Sequence, residues 1–462
     1  MSKNSKLFRC HGGKNFKTTL KVCLFSVVSA ILVACGNTGN ITVKEQPYLS
    51  SLSLHEKASN FQLITESEFV SPEGLLCYKK PSGHKGYFYD NYDKQTSLTS
   101  MQILAEIHRY KSTLNMDAIY NLNKYIGGLE RLFDVTNVSG YPARSMAPSD
   151  KVDINWKWHG ADPSRNFSHP LTKYHWNGNA SKDEMAHLVL TLSEACMCLD
   201  NFPRLQNRSR KLLLDLAEYF FDNYQNVIDI NGQVAKEGDL TGEIVVIPML
   251  FEISIGYNHF ISMAIYTAAY DYCEDKKLKD KFKKGIENIV NNGALNNLKP
   301  ATNQHVQNRD YTKDNMAFLT ARVLLNSPSF EYKDKVLISI QDLWINVRDE
   351  NNVFWYLLIK DQLNEGHEYS KRLIKNLELF PDTKREVSVD FSSRHKTRFF
   401  NNSNNEAVAV KAPLLNDRPI NAFIWSADPY TVQKTVNTSY DYAPVDFLVA
   451  YWMGRSTGLI VQ

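Results

Sequence analysis

Long apolar runs are nearly missing from this 462-residue chain. The most extended, Val22 to Ala34, is too short for a membrane-spanning helix, which takes about 20 residues. Cysteine is sparse, and the 7 residues include neither a C-x-x-C pair nor a Cys/His spacing that would hold zinc. For Cys77, Cys196, Cys198 and Cys273, buried thiols and a disulfide of an exported protein both stay open. There is no G-x-S-x-G, no Walker loop and no dinucleotide-binding glycine pattern, so nucleotide hydrolysis and hydride transfer lose their usual markers, and no cofactor is expected. No Pro/Gly/Ser linker or low-complexity tract divides the chain either, which reads as one large domain.

What is present starts with charge. Lys3, Lys6, Arg9, Lys14, Lys17 and Lys21 precede the apolar run without a single acid, and Leu32-Val33-Ala34-Cys35 follows. A positive start, a short apolar core and small residues before a cut describe a signal peptide over residues 1–34. Its ending resembles the lipobox of bacterial lipoproteins, in which the Cys is lipidated and becomes the mature N-terminus. That resemblance implies lipidation of Cys35 and membrane anchoring in a bacterial cell envelope, in the outer or the inner membrane, with the outer favoured. Removal of the six leader cations turns the formal charge from +3 to −3. A near-neutral domain has no broad polycationic face for phosphates, which argues against nucleic acid, and no nucleic-acid partner is expected.

Residues 35–94 read as a tether and irregular segment; from 95 to 462 the apolar period is helical. Ile119, Leu122, Ile126, Leu129 and Phe133 follow a three-then-four spacing that sets one stripe on a helix over 115–134. A shorter helix over 100–111 precedes it, making an antiparallel hairpin. The plan returns in 181–199 with 208–227, in 259–273 with 278–290 and in 314–325 with 335–347. Single helices follow at 367–379 and 444–454. Strand signals are few, the best being Glu243 to Ile247 and Val387 to Val389. The class is mostly α. Hairpins of this kind, joined by loops rich in Trp, His, Asn and Asp, resemble the (α/α) toroid, the six-hairpin fold of several glycoside hydrolase and polysaccharide lyase families. The resemblance implies a polysaccharide or oligosaccharide as partner. With 24 Tyr, 23 Phe and 7 Trp, the chain has rings for a large core and for stacking on sugars.

The richest constellation is Trp176-Asn177-Gly178-Asn179-Ala180-Ser181-Lys182-Asp183-Glu184-Met185-Ala186-His187. Ser181 and Glu184 have capping-box spacing. The segment resembles the toroid-enzyme loop that enters an inner helix at the cavity mouth, which implies that Asp183, Glu184 and His187 face a ligand. Glu184 and His187 also have the i, i+3 spacing of a carboxylate-bridged metal helix, but no second such pair exists, so no metal is expected. Arg144 on an aromatic loop suits a uronate carboxylate through its planar fork. Trp156, Trp158 and Trp176 are candidate stacking walls. Asn258-His259 and Asp314-Asn315 open later helices in the same way, and a ring would let Asp183, His259 and Asp314 share one groove. Asp183, Glu184, His259 and Asp314 are the candidate catalytic groups; in a lyase, His259 or Tyr174 would be the base. Asp446 and Arg455 are minor candidates. A lipoprotein that binds glycan, or supports envelope assembly, without catalysis remains the alternative.

Overall fold

The computed structural model describes residues 52–79, 94–150, 158–160, 173–229, 231–241, 245–247, 251–253, 256–296, 298, 311–398, 401–402, 404–437 and 439–461. Cys35 and Trp156 lie outside these residues, as does the leader.

Among the described residues, six helices form an inner ring: α2 (Gln95–Thr113), α4 (Lys182–Cys198), α6 (Gly256–Tyr272), α8 (Tyr311–Asn326), α10 (Val353–Ile359) and α12 (Val445–Ser456). Each packs on the next, and α12 packs back along α2, which closes the ring. The outer layer is α3 (Met116–Asp134), α5 (Pro203–Asp222), α7 (Lys276–Asn291), α9 (Lys333–Val347), α11 (His367–Glu378) and α1 (Leu54–Ile64). The fold is therefore an (α/α) toroid of helical hairpins. Helix α4 also touches α8 directly as well as through α6.

Local chemistry sets the hairpins. Leu114 adopts the left-handed conformation (φ 55°) after α2, and Asn115 caps α3 by accepting the Asp117 N–H at 2.8 Å, so two residues reverse the chain. Helix α2 begins a turn earlier than its apolar period suggests. Its first residues are Gln95, Thr96 and Ser97, buried polar groups on which hydrophobic spacing is silent; Thr96 Oγ1 donates to the Ala143 carbonyl at 2.8 Å.

Two inferences from sequence need correction. The stretch read as an irregular tether contains α1, followed by a π-turn at Thr65–Phe69, and it supplies the outer partner of α12. Ser53 and Glu56 cap α1 reciprocally, while Phe61 meets Phe447 edge-on at 5.1 Å and Phe380 at 6.0 Å. Lys57, 1% exposed, donates to the Phe380 carbonyl at 2.6 Å and pairs with Asp382 at 3.2 Å. Gly74 and Gly128 bring this segment against α3, since a Cβ on Gly128 would stand 2.4 Å from the Gly74 carbonyl oxygen. The second correction is α10, which the helical period did not reveal. Its residues Val353 to Ile359 are all apolar or aromatic and all buried, so no face alternates.

Strands are short. β3 (Tyr174–Asn177) is central between β1 (Ser145–Pro148) and β2 (Trp158–Gly160), with Trp176 opposite Met146 and His159. β4 (Asn226–Ile228) pairs with β5 (Val234–Asp239), and β6 (Val245–Ile247) with β7 (Phe251–Ile253), all antiparallel. Beyond residue 380, β8 (Val389–Asp390) pairs with β9 (Gln433–Lys434) over a small cluster of Val389, Phe391, Ala409 and Val432. Asn402 Oδ1 accepts the N–H groups of Asn404 and Glu406, the side-chain-to-backbone pattern by which Asn favours turns. Cys77, Cys196, Cys198 and Cys273 are free thiols. Among the described residues, no helix is long and apolar enough to cross a membrane.

Candidate functional site

The loop entering α4 is held from two sides. Asn179 sits at φ 57°, and Asp229 Oδ1 accepts both its N–H and the Tyr141 hydroxyl at 3.1 Å. Gly178 permits this approach, because a Cβ there would lie 2.5 Å from that oxygen. From β5, the Lys236 N–H donates to Asn179 Oδ1 at 3.0 Å. The turn therefore delivers Ser181 as N-cap: Glu184 Oε2 accepts the Ser181 N–H at 2.7 Å and the Ser181 hydroxyl. Glu184 is fully buried, and burial pushes its carboxyl up while Arg144, with Nε 3.6 Å from Oε1, opposes the shift. Arg144 thus faces Glu184, and its Nη1 also donates to the Asn179 carbonyl at 3.4 Å.

His187, one turn on, belongs to a different network. Its Nδ1 lies 2.7 Å from the Asp183 carbonyl oxygen and 3.4 Å from Asp183 Oδ1, and Nε2 lies 3.4 Å from Asn315 Nδ2. Asn315 Oδ1 in turn accepts the indole N–H of Trp355 at 2.9 Å. Glu184 and His187 therefore turn to separate partners. The Asp183 side chain, 14% exposed, keeps partial access to solvent.

Three helix starts meet at Tyr257. Lys182 Nζ, from α4, lies 5.4 Å from the Tyr257 ring centre and 3.4 Å from its hydroxyl; Lys313 Nζ, from α8, lies 5.7 Å from the same centre. Tyr257 opens α6, where Asn258 donates to the Asp239 carbonyl at 3.0 Å and His259 follows. His259 is 7% exposed, its Nδ1 has no hydrogen-bond partner among the described residues, and burial lowers its pKa. Asp314 is buried on the first turn of α8.

The structure thus joins Asp183, His187 and Asn315 directly, and brings the helix starts bearing Asp183, His259 and Asp314 to one aromatic ring. Lys182, Tyr257 and Lys313 escaped the sequence reading, although a signal existed. Ser181-Lys182-Asp183-Glu184-Met185-Ala186-His187-Leu188 is matched by Thr312-Lys313-Asp314-Asn315-Met316-Ala317-Phe318-Leu319, so α4 and α8 open on the same octapeptide pattern.

Other expected groups are placed differently. Trp176 is 1% exposed, edge-on to Tyr141 at 6.2 Å, and packs the sheet instead of offering a free face for stacking. With Tyr141 and Tyr219 it floors a cleft of about 590 Å³ whose lining includes none of Asp183, His259 and Asp314. Trp158 pairs through its backbone with Asn177. Tyr174 donates to Glu73 at 3.0 Å, and burial pushes its phenol up to about 12, which disfavours it as a base. Asp446 is fully buried against Lys384 Nζ at 2.6 Å, an internal ion pair instead of a ligand group, and Arg455 donates to the Tyr451 hydroxyl at 3.2 Å. Toward the C-terminal ends of the inner helices, Arg322 pairs with Glu194 at 3.0 Å and His108 bonds Ser456 at 2.6 Å.

Solved structures with a similar chain path include a family 76 glycoside hydrolase (mannosidase), Bt3792, from Bacteroides thetaiotaomicron, at 10% identity and TM-score 0.44 over 87% of this chain and 98% of that one. The cellulase Cel9M of C. cellulolyticum matches at 10% identity and TM-score 0.41 over 88% and 99%. A Bacteroides ovatus GH9 protein matches at 9% and 0.40 over 88% and 83%. At such values the likeness concerns the path of the chain and not its side chains. No family model matches the sequence, and no curated protein does.

Proposed function

We propose that the protein is a lipid-anchored, glycan-cleaving enzyme of a bacterial cell envelope. The observation that supports this reading is the meeting of α4, α6 and α8 at Tyr257 through Lys182 and Lys313, since Asp183, His259 and Asp314 each stand one or two residues along the same helix starts. Glycoside hydrolysis needs two carboxyl groups flanking the bond, one protonated and one ionised. Asp183 and Asp314 hold equivalent places in the two octapeptides, and we assign them as that pair. His259, kept neutral by burial and with Nδ1 unpaired among the described residues, is able to take a proton; in an eliminative reaction it would be the base. Glu184 and Arg144 act by position: their pairing holds the first turn of α4, from which Asp183 projects.

The test compares wild type with Asp183→Asn, Asp314→Asn and His259→Ala on neutral and uronate-containing polysaccharides, following reducing ends and the ultraviolet absorbance of unsaturated uronates. New reducing ends alone indicate hydrolysis; both signals together indicate elimination. Loss of a general acid or base lowers turnover by about 10²–10⁴-fold. Full activity in all three variants would remove these residues from the mechanism.

A non-catalytic glycan-binding lipoprotein is the second reading. It is favoured by the internal engagement of Glu184 and His187, which leaves fewer groups for chemistry. Tight glycan binding by wild type without cleavage across the panel would select it.

A further inference from the structure

Exposed apolar side chains gather on one arc of the toroid, at the C-terminal ends of the inner helices and so on the rim opposite the candidate site. Leu114 and Met116, 71% and 58% exposed, tip the turn from α2 to α3; Met197 is exposed at the end of α4, and Val461, 85% exposed, follows α12. These helices are neighbours in the ring: α2 packs on both α12 and α4, His108 bonds Ser456 where α2 and α12 end, and the rings of Tyr110 and Phe202, 5.2 Å apart, join the end of α2 to the start of α5. Leu114 holds φ 55°, a conformation for which Gly or Asn is the usual residue, so the turn itself does not call for a large apolar side chain at its tip. Elsewhere on this rim the turns are polar. Those after α6, α8 and α10 expose Glu274 and Asp275, Asn326 and Ser329, and Asp361 and Asn364.

The chain enters the fold on the same arc. Helix α1 runs against α12, with Phe61 on Phe447 in its first turn and His55 Nδ1 3.3 Å from the Tyr451 hydroxyl one turn further on, so the start of α1, where Leu52 is exposed, points to this rim. Leu52 follows Cys35 by 17 residues, which reach at most about 60 Å when fully extended. A lipid on Cys35 therefore tethers the domain from the side that carries the apolar arc.

We propose that Leu114, Met116, Met197 and Val461 form a docking surface for the lipid bilayer in which Cys35 is anchored. This rests on the anchoring proposed above and adds an orientation to it: the arc sits in the headgroup layer, and the opposite rim, with Asp183, His259 and Asp314, faces away from the lipid. Exposed charges on the arc are mixed, Lys111 and Arg204 with Asp117 and Asp200, so apolar insertion and not attraction to anionic lipid drives the contact.

The test reads depth in the membrane with an environment-sensitive dye. Met116→Cys and, on the opposite rim, Tyr224→Cys are labelled in the full lipid-bearing chain and reconstituted in phosphatidylcholine vesicles containing nitroxide lipids. Cys77, Cys196 and Cys273 are buried and the Cys198 thiol is pushed up to about 12 by burial, which keeps the label on the introduced thiol. The dye at 116 should shift to the blue and be quenched, while the dye at 224 should emit as in water. An unlipidated Cys35→Ala chain should still partition onto the vesicles, and Leu114→Gln/Met116→Gln/Met197→Gln should weaken that partitioning by about tenfold or more as apolar contact is lost. No quenching at 116, equal quenching at both positions, or partitioning that survives the triple variant would overturn the docking surface and leave the anchor standing. A blue shift at 116 that grows with protein concentration without vesicles would overturn it in favour of a second copy of the chain. An unmodified Cys35 in the mature wild type would overturn the anchor and the docking surface together.

Discussion

The indole N–H of Trp355 donates to Asn315 Oδ1 at 2.9 Å, and this one bond fixes the polarity of the network beside the candidate site. Tryptophan can only donate, so the Asn315 oxygen must face it and the amide NH₂ must face His187 Nε2 at 3.4 Å. Nε2 is then the acceptor, and the ring proton sits on Nδ1, directed at the Asp183 carbonyl 2.7 Å away. Trp355→Phe should keep much of the ring contact that stacks at 4.9 Å on Phe318 but strand a buried amide oxygen. A loss of about 1–3 kcal/mol in urea unfolding is expected. The His187 nitrogen NMR shifts should move from one tautomer to a mixture, and unchanged shifts would refute the proposed polarity.

A pH dependence should come from Glu106. It is fully buried on α2, accepts from Gln62, Gln102 and Asn121, and pairs with Arg109 at 3.1 Å. Burial pushes its pKa up to about 7 from 4.5, Arg109 and Gln62 opposing and Glu66 assisting. A carboxyl with a raised folded pKa binds its proton better in the folded state. Its contribution is therefore complete below about pH 4.5 and is lost as pH rises through about 7. Relative to wild type, Glu106→Gln should gain stability across that window, by at most about 3 kcal/mol. Urea midpoints measured from pH 4 to 8 check it, and a constant difference between the two proteins would disprove the linkage.

The Lys384–Asp446 pair ties the segment after residue 380 to the start of α12. Asp446 Oδ2 also accepts the Ile424 N–H at 3.0 Å, and the Trp425 indole donates to the Asp446 carbonyl at 2.8 Å. Both charges are buried, so Asp446→Ala should cost about 3–5 kcal/mol by leaving the ammonium without its partner. Lys384→Met/Asp446→Leu should recover much of that loss in thermal or urea unfolding. A single variant as stable as wild type would contradict the buried-pair assignment.

Anchoring is predicted at Cys35 from the leader and the Leu-Val-Ala-Cys ending. One acyl chain binds membranes only marginally, so stable attachment needs several. Cys35→Ala should release the protein from the membrane fraction or leave it unprocessed. An unmodified mass for the mature wild-type protein would exclude lipidation.

Amphipathic stripes are local, and they were enough to place α3 and the hairpin order, because an outer helix writes its buried face into every third or fourth residue. The capping of α4 by Ser181 and Glu184 was equally legible, since its partners are three residues apart. Helix α10 was not, because a segment buried on all sides has no polar face to set a period. Nor was the role of α1, whose Phe61 meets partners more than three hundred residues away in sequence. At the site, sequence alone supplied Asp183, His259 and Asp314 as polar residues opening apolar helices. Only the closed ring decided that Lys182 and Lys313 share Tyr257, and that His187 is oriented by Asn315 and Trp355. Those contacts depend on distances between helices, which tertiary packing sets and local sequence does not encode.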